Sequence, residues 1–185
     1  PKLVPLHVLT AVLRSLLTER MPIADLPRIL EDLAGMSGRI SDPQDMAEAL
    51  RRALAPQLLQ QIAPLRESLH LITLSSALEE LLVRSVHGSA GLIVDDGLTR
   101  QILTQLNAAE EAVVAKGSQP IVVVSAQMRR RFAAFLRAHG VSAIVLAVSE
   151  LPDNRKVEIA ASIGAQPVSA SSTSIAARVG AVLVA

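Results

Sequence analysis

From Leu6 to about Leu65 the apolar positions recur at helical spacing. Leu6, Leu9, Leu13, Leu16 and Leu17 predict one face of a first helix, closed between Thr18 and Pro22. Leu26, Ile29, Leu30 and Leu33 predict a second, ended by Gly35 and Gly38. Asp25 is its expected N-cap, through the amide of Arg28. Pro27 then falls second in the helix, where a missing N–H has no intrahelical partner to lose. In "SDPQD", Ser41 or Asp42 is placed to cap a third helix, with Pro43 in its first turn. The stripe of that helix is Met46, Ala49, Leu50, Ala53 and Leu54, and Pro56 is expected to kink or end it.

From Leu69 onward, short apolar runs alternate with amphipathic helices. "LHLITL" (69–74), "QPIVVV" (119–124), "SAIVLAV" (142–148) and "KVEIAASI" (156–163) predict strands. Between them lie the helices "SSALEELLVRSV", a segment starting near Asp95 or Asp96 with Leu98, Ile102, Leu103, Leu106 and Ala109 on one face, and "SAQMRRRFAAFLRAHG" with Ser125 as cap and Gly140 as stop. Strands and helices alternating at these lengths imply parallel neighbours. The expected fold is mixed α/β: a helical subdomain over 1–65, an α/β subdomain with a short, mainly parallel sheet over 66–166, and a low-charge Ser/Ala-rich tail over 167–185, with Val179–Val184 available as an added strand.

Composition narrows the function classes. The 18 basic and 17 acidic residues leave a net charge of +1, which argues against nucleic-acid binding driven by charge. Two Phe and no Trp or Tyr leave little for bases to stack on. With no cysteine there is no disulfide, thiolate metal site or cysteine nucleophile. No apolar run approaches the length of a membrane span, and the N-terminus lacks the order of a signal peptide, so this stretch reads as soluble.

Candidate chemistry is sparse. His7, His70, His87 and His139 have no metal-ligand spacing, and neither a phosphate-binding loop nor a nucleophile elbow is present. "GSAG" (88–91) reads as a turn, and Asp95–Asp96 as a helix cap. No catalytic, cofactor-binding or metal-ligating residue is expected. Arg129, Arg130 and Arg131 are the strongest local charge feature, expected as a solvated helix face or as a docking patch for an acidic partner. Asp153, Asn154 and Arg155, in a polar loop after a strand, are the other candidate contacts. A competing reading, a small nucleotide-binding α/β enzyme, would use the strand ends near Ser125, Ser149 and Asp153.

"LLTERMPIADLPRILEDLA", "DPQDMAEALRRAL", "LHLITLSSALEELL", "GLIVDDGLTRQIL", "QPIVVVSAQMRRRFAAFLR" and "AIVLAVSELPDNRKVEIAASIG" resemble, in the same order, the closing segments of the bacterial flagellar export-gate family FlhA, over about residues 3–166. Injectisome export gates share the pattern, and "SELPDNRKVEIAASIG" looks more like the flagellar branch. Ala24, Pro27 and Pro56 stand where that family commonly has arginine. The resemblance implies the last two cytoplasmic subdomains of a membrane-anchored, non-enzymatic protein, at the cytoplasmic face of the inner membrane, whose membrane part would precede this chain. It implies a homo-oligomeric ring, with contacts first sought on residues 14–55. The implied partners are other export-apparatus subunits, components of the export ATPase complex and chaperone–substrate complexes, with no cofactor and no nucleic acid.

Overall fold

In the computed structural model, residues 4–36, 38–85 and 92–164 are described. Six helices and four strands follow in the order α1 (Leu6–Thr18), α2 (Leu26–Met36), α3 (Pro43–Ile62), β1 (Leu69–Leu74), α4 (Ser76–Arg84), α5 (Asp96–Val114), β2 (Ile121–Val124), α6 (Ala126–Ala138), β3 (Ile144–Ala147) and β4 (Val157–Ile163). All strands are parallel, in the order β3-β2-β1-β4. The sheet is covered on both faces, so its inner strands are apolar on both sides. Leu69, Leu71, Ile121, Val123, Ile144 and Leu146 join a core with Val12, Leu16, Ile29, Leu33, Leu50 and Leu54 of α1–α3. Their neighbours Ile72, Leu74, Val122, Val124 and Val145 point the other way, into a core with Leu82, Ile102, Leu106, Phe132 and Leu136 of α4–α6. The period-two geometry of a strand thus divides each apolar run between two helical layers.

Helix starts follow the expected chemistry. The Asp25 carboxylate accepts from the Arg28 amide at 3.3 Å, with Pro27 second in α2. Asp42 caps α3 through the Gln44 amide at 2.9 Å, with Pro43 first in the helix. Asp95 caps α5 by accepting from the Gly97 and Leu98 amides at 2.9 and 3.0 Å. Ser125 heads α6, but its hydroxyl makes no capping bond.

Three expectations are corrected. Helix α3 does not end at Pro56 but continues to Ile62, because buried Leu54, Ala55, Leu58 and Leu59 hold both sides of the proline in the core. Helix α2 passes through Gly35 and stops at Met36; Gly38, with φ of +88°, lies beyond it. On α1, Val12 and Leu16 form the buried line, while Leu6 and Leu17 flank it in solvent, 76% and 53% exposed. The segments "GSAG" and 167–185, with His87, lie outside the described residues.

After β3 a single 3-10 turn (Val148–Glu150) starts a connection to β4 at the opposite sheet edge. Leu151 and Val157 pack on the core beneath α1–α3. Arg155, 7% exposed, donates from Nη2 to the carbonyls of Ala63 and Pro64 at 3.0 and 3.1 Å. This arginine satisfies carbonyls at the C-terminal end of α3 that have no helical partner of their own.

Candidate protein-interaction site

The seam between α3, α6 and the end of β3 is held by charge. Arg51 of α3 and Arg129 of α6 are buried, 2% and 1% exposed. Arg51 grips Glu150 with two nitrogens, Nε at 2.7 Å and Nη2 at 3.3 Å, and also donates to the Val145 carbonyl at 3.1 Å. Its Nη1 meets Glu19, just past the end of α1, at 2.6 Å. Arg129 bonds Glu19 and Glu48, the latter also through Nε at 2.8 Å. Arg137 reaches Glu19 at 3.3 Å. Glu19 therefore receives three arginines from two helices, and the cluster fastens the α1–α3 layer to the α/β layer. A buried guanidinium is tolerated only where its fork finds acceptors: Arg51 has two carboxylates and the Val145 carbonyl, Arg129 two carboxylates.

Burial and pairing pull against each other in this cluster. Burial pushes the Glu48 carboxyl above its ordinary value, and the Arg129 guanidinium opposes this without reversing it. Burial pulls Arg129 down, but its bonds to Glu19 and Glu48 outweigh that, so it stays cationic with its value raised.

Above the seam, at the C-terminal ends of β2 and β3, lies an open groove of about 560 Å³. Its walls are the N-terminal halves of α3 and α6, carrying Asp45, Arg52, Gln127, Arg130 and Arg131; Glu48, Arg129, Ala147 and Glu150 line it below. Arg130 pairs with Asp45 at 2.7 Å, both partly exposed. Arg131 donates only to the Gln127 carbonyl of its own helix, and Arg52 is exposed with no carboxylate partner among the described residues.

The arginine run is therefore not one surface. Arg130 and Arg131 face the groove, but Arg129 is a buried clamp, because its position shares a face with Met128, Phe132, Ala133 and Leu136. In the loop, Asp153 and Asn154 are exposed while Arg155 is turned inward, which removes it from any contact surface. Glu19, Glu48, Arg51 and Glu150 were not legible as a cluster, since their arginine and carboxylate partners lie 32 to 118 residues away. One local signal existed: Arg51 stands inside the buried stripe of Ala47, Leu50, Leu54 and Ala55.

Of the three residues that the enzyme reading would use, Ser149 lines the groove; Ser125 stands at the N-cap position of α6 without a capping bond, and Asp153 sits in the exposed loop. His70 lies 3.5 Å from Glu158, and His139 bonds the Phe135 carbonyl. Among the described residues no group of three metal-ligating side chains occurs, and no helix is long and apolar enough to cross a membrane.

A parallel sheet with a three-helix layer on one face and helices on the other is a known fold. The nonameric SctV-C of EPEC matches it with a TM-score of 0.74 and 21% identity, over 86% of this chain and 49% of that one. Chlamydia pneumoniae CdsV, solved in complex with CdsO, matches with a TM-score of 0.75 and 21% identity, over 86% and 47%. At such identities it is the fold that is shared. Sequence carries the relation further: residues 1–156 match the FHIPEP family, and the chain belongs to that family. The flagellar biosynthesis protein FlhA of Salmonella typhimurium is 36% identical over 164 residues, and that of Escherichia coli K12 is 35% identical over the same length, each covering 89% of this chain. The chain spans 23% of the length of these curated relatives.

Proposed function

We propose that this chain is the C-terminal cytoplasmic portion of a flagellar type III export gate, a non-catalytic module that presents docking surfaces and contributes to a ring. The observation that carries this reading is 36% identity to a flagellar relative across 89% of the chain. The flagellar branch is favoured over the injectisome branch because the relatives at 35–36% identity are flagellar proteins. The charge clamp supports a structural use for the chain's ionisable groups, since Arg51, Arg129, Glu19 and Glu150 spend their bonding capacity on one another. In this reading, 1–65 is the helical unit whose surface over residues 14–55 meets neighbouring copies, 66–166 is the α/β unit, and 167–185 is a tail. Export-apparatus subunits, ATPase-complex components and chaperone–substrate complexes are the partners, at the cytoplasmic face of the inner membrane. Arg130, Arg131, Asp153 and Asn154 are the exposed polar contacts offered to them.

The test is a chimera in which residues 3–164 replace the matching C-terminal stretch of Salmonella FlhA in a strain lacking its own gene. Swarming in soft agar and secretion of flagellar subunits are expected at a measurable fraction of the parent. A chimera that accumulates at the membrane yet secretes nothing would defeat the reading.

A further inference from the structure

Resting on that docking role and specifying its chemistry, we infer that the groove between the N-terminal halves of α3 and α6 receives an extended acidic peptide segment from a partner protein. Three features of the groove lead to this occupant. First, its acids are already answered: Glu48 by Arg129, Glu150 by Arg51 and Asp45 by Arg130. Arg52 and Arg131 are left without a carboxylate, and the residues outside the described set contain no Asp or Glu to supply one. The groove therefore carries an uncompensated double positive charge, which complements two acidic side chains.

Second, alanines at the contact positions make room for a main chain. Ala49, Ala126 and Ala147 line the groove, and its volume of about 560 Å³ suits a few residues of extended peptide. Third, the neighbouring end of α6 adds to the field. Its Ala126 and Gln127 amides donate to no side-chain cap, because the Ser125 hydroxyl makes no hydrogen bond, and the Glu79 carboxylate takes up only the Ser125 amide, at 2.7 Å. The orphan amides of a 13-residue helix favour negative charge nearby. Arg130 is poised to share in binding, since its bond to Asp45 is solvent-accessible and exchanges at little cost.

Binding of a fluorescein-labelled hexaglutamate peptide to the full 185-residue chain, read by fluorescence polarisation, tests this. The expected result is saturable binding that weakens with added salt. Arg52→Glu with Arg131→Glu should weaken it by at least about tenfold, while Arg100→Glu, an exposed arginine on α5, should not. Thermal melts should show the double variant folded, with its Tm within about 2 °C of the parent, because both side chains lie outside the clamp. Equal binding by parent and double variant, or equal binding of a hexaglutamine peptide, overturns the inference. Displacement of the peptide by inorganic phosphate or a nucleotide at similar concentration also overturns it, in favour of a small-anion site. Loss of peptide binding with a functional chimera would sink this groove alone and leave the export-gate role standing.

Discussion

Glu19 is the residue on which most depends. It accepts from Arg51, Arg129 and Arg137 while only 11% of its side chain is exposed. Glu19→Gln leaves two buried guanidinium groups short of one counter-charge, which costs about 3 kcal/mol. For a chain of this size the melting temperature should fall by roughly 6–12 °C. Circular dichroism melts check this, and a fall of less than about 2 °C would mean that Glu48 and Glu150 suffice alone. Glu110 behaves in the opposite sense. Burial raises its carboxyl above the ordinary value, and its Oε1 has no partner. A carboxyl raised in the folded state contributes stability that is fully present below its unfolded value and lost as pH rises through the folded one. Glu110→Gln should therefore match the parent near pH 4 and become the more stable protein by pH 7. With solvent screening allowed for, the gain is less than about 1 kcal/mol. Denaturation midpoints at a series of pH values read it directly, and a gap that does not widen with pH would refute the assignment.

At the scale of elements, local rules were legible and their overrides were not. Asp25, Asp42 and Asp95 cap as their positions predict, because a cap is decided within three residues of chain. Pro56 breaks the local rule because its consequence is set by packing: α3 runs 20 residues with core contacts on either side of the proline. A proline in that position leaves the carbonyl four residues earlier, on Arg52, without its helical donor. Pro56→Ala should restore that bond and stabilise the protein by about 1–3 kcal/mol, partly offset by the greater freedom of the unfolded chain. Urea denaturation measures this, and an unchanged midpoint would show that α3 has already absorbed the defect. Arg129 failed for a related reason. Its own helix shows a charged residue beside two others, and only the approach of Glu19 and Glu48 from the opposite layer makes its burial affordable.

For the whole molecule, the parallel sheet and its flanking helices follow from alternation of strand-length and helix-length runs. Strand order does not, because β4 crosses to the far side of β1 rather than lying beside β3. That crossing is set by contacts such as Arg155 on the carbonyls at the end of α3, between residues about 90 apart. The groove was equally hidden, since its walls come from α3, α6 and the turn after β3. Its arginines were visible in the sequence; which of them face solvent was decided by the assembled layers.

The separation of 99 residues between Arg51 and Glu150 bears on how the protein is made. At roughly 5–20 residues per second, a nascent chain holds Arg51 without that carboxylate for roughly 5–20 s. Throughout that interval the helical layer has emerged, yet the guanidinium must stay hydrated and the layer unsealed. The outer edge of β1 waits as long for β4. Translation that halts before residue 150 therefore releases a polypeptide in which Arg51 has Glu19 but lacks Glu150, and in which β1 has an open strand edge. Those two features mark it for chaperone capture or proteolysis, so the order of synthesis makes the stretch from Glu150 to β4 a checkpoint on the helical layer.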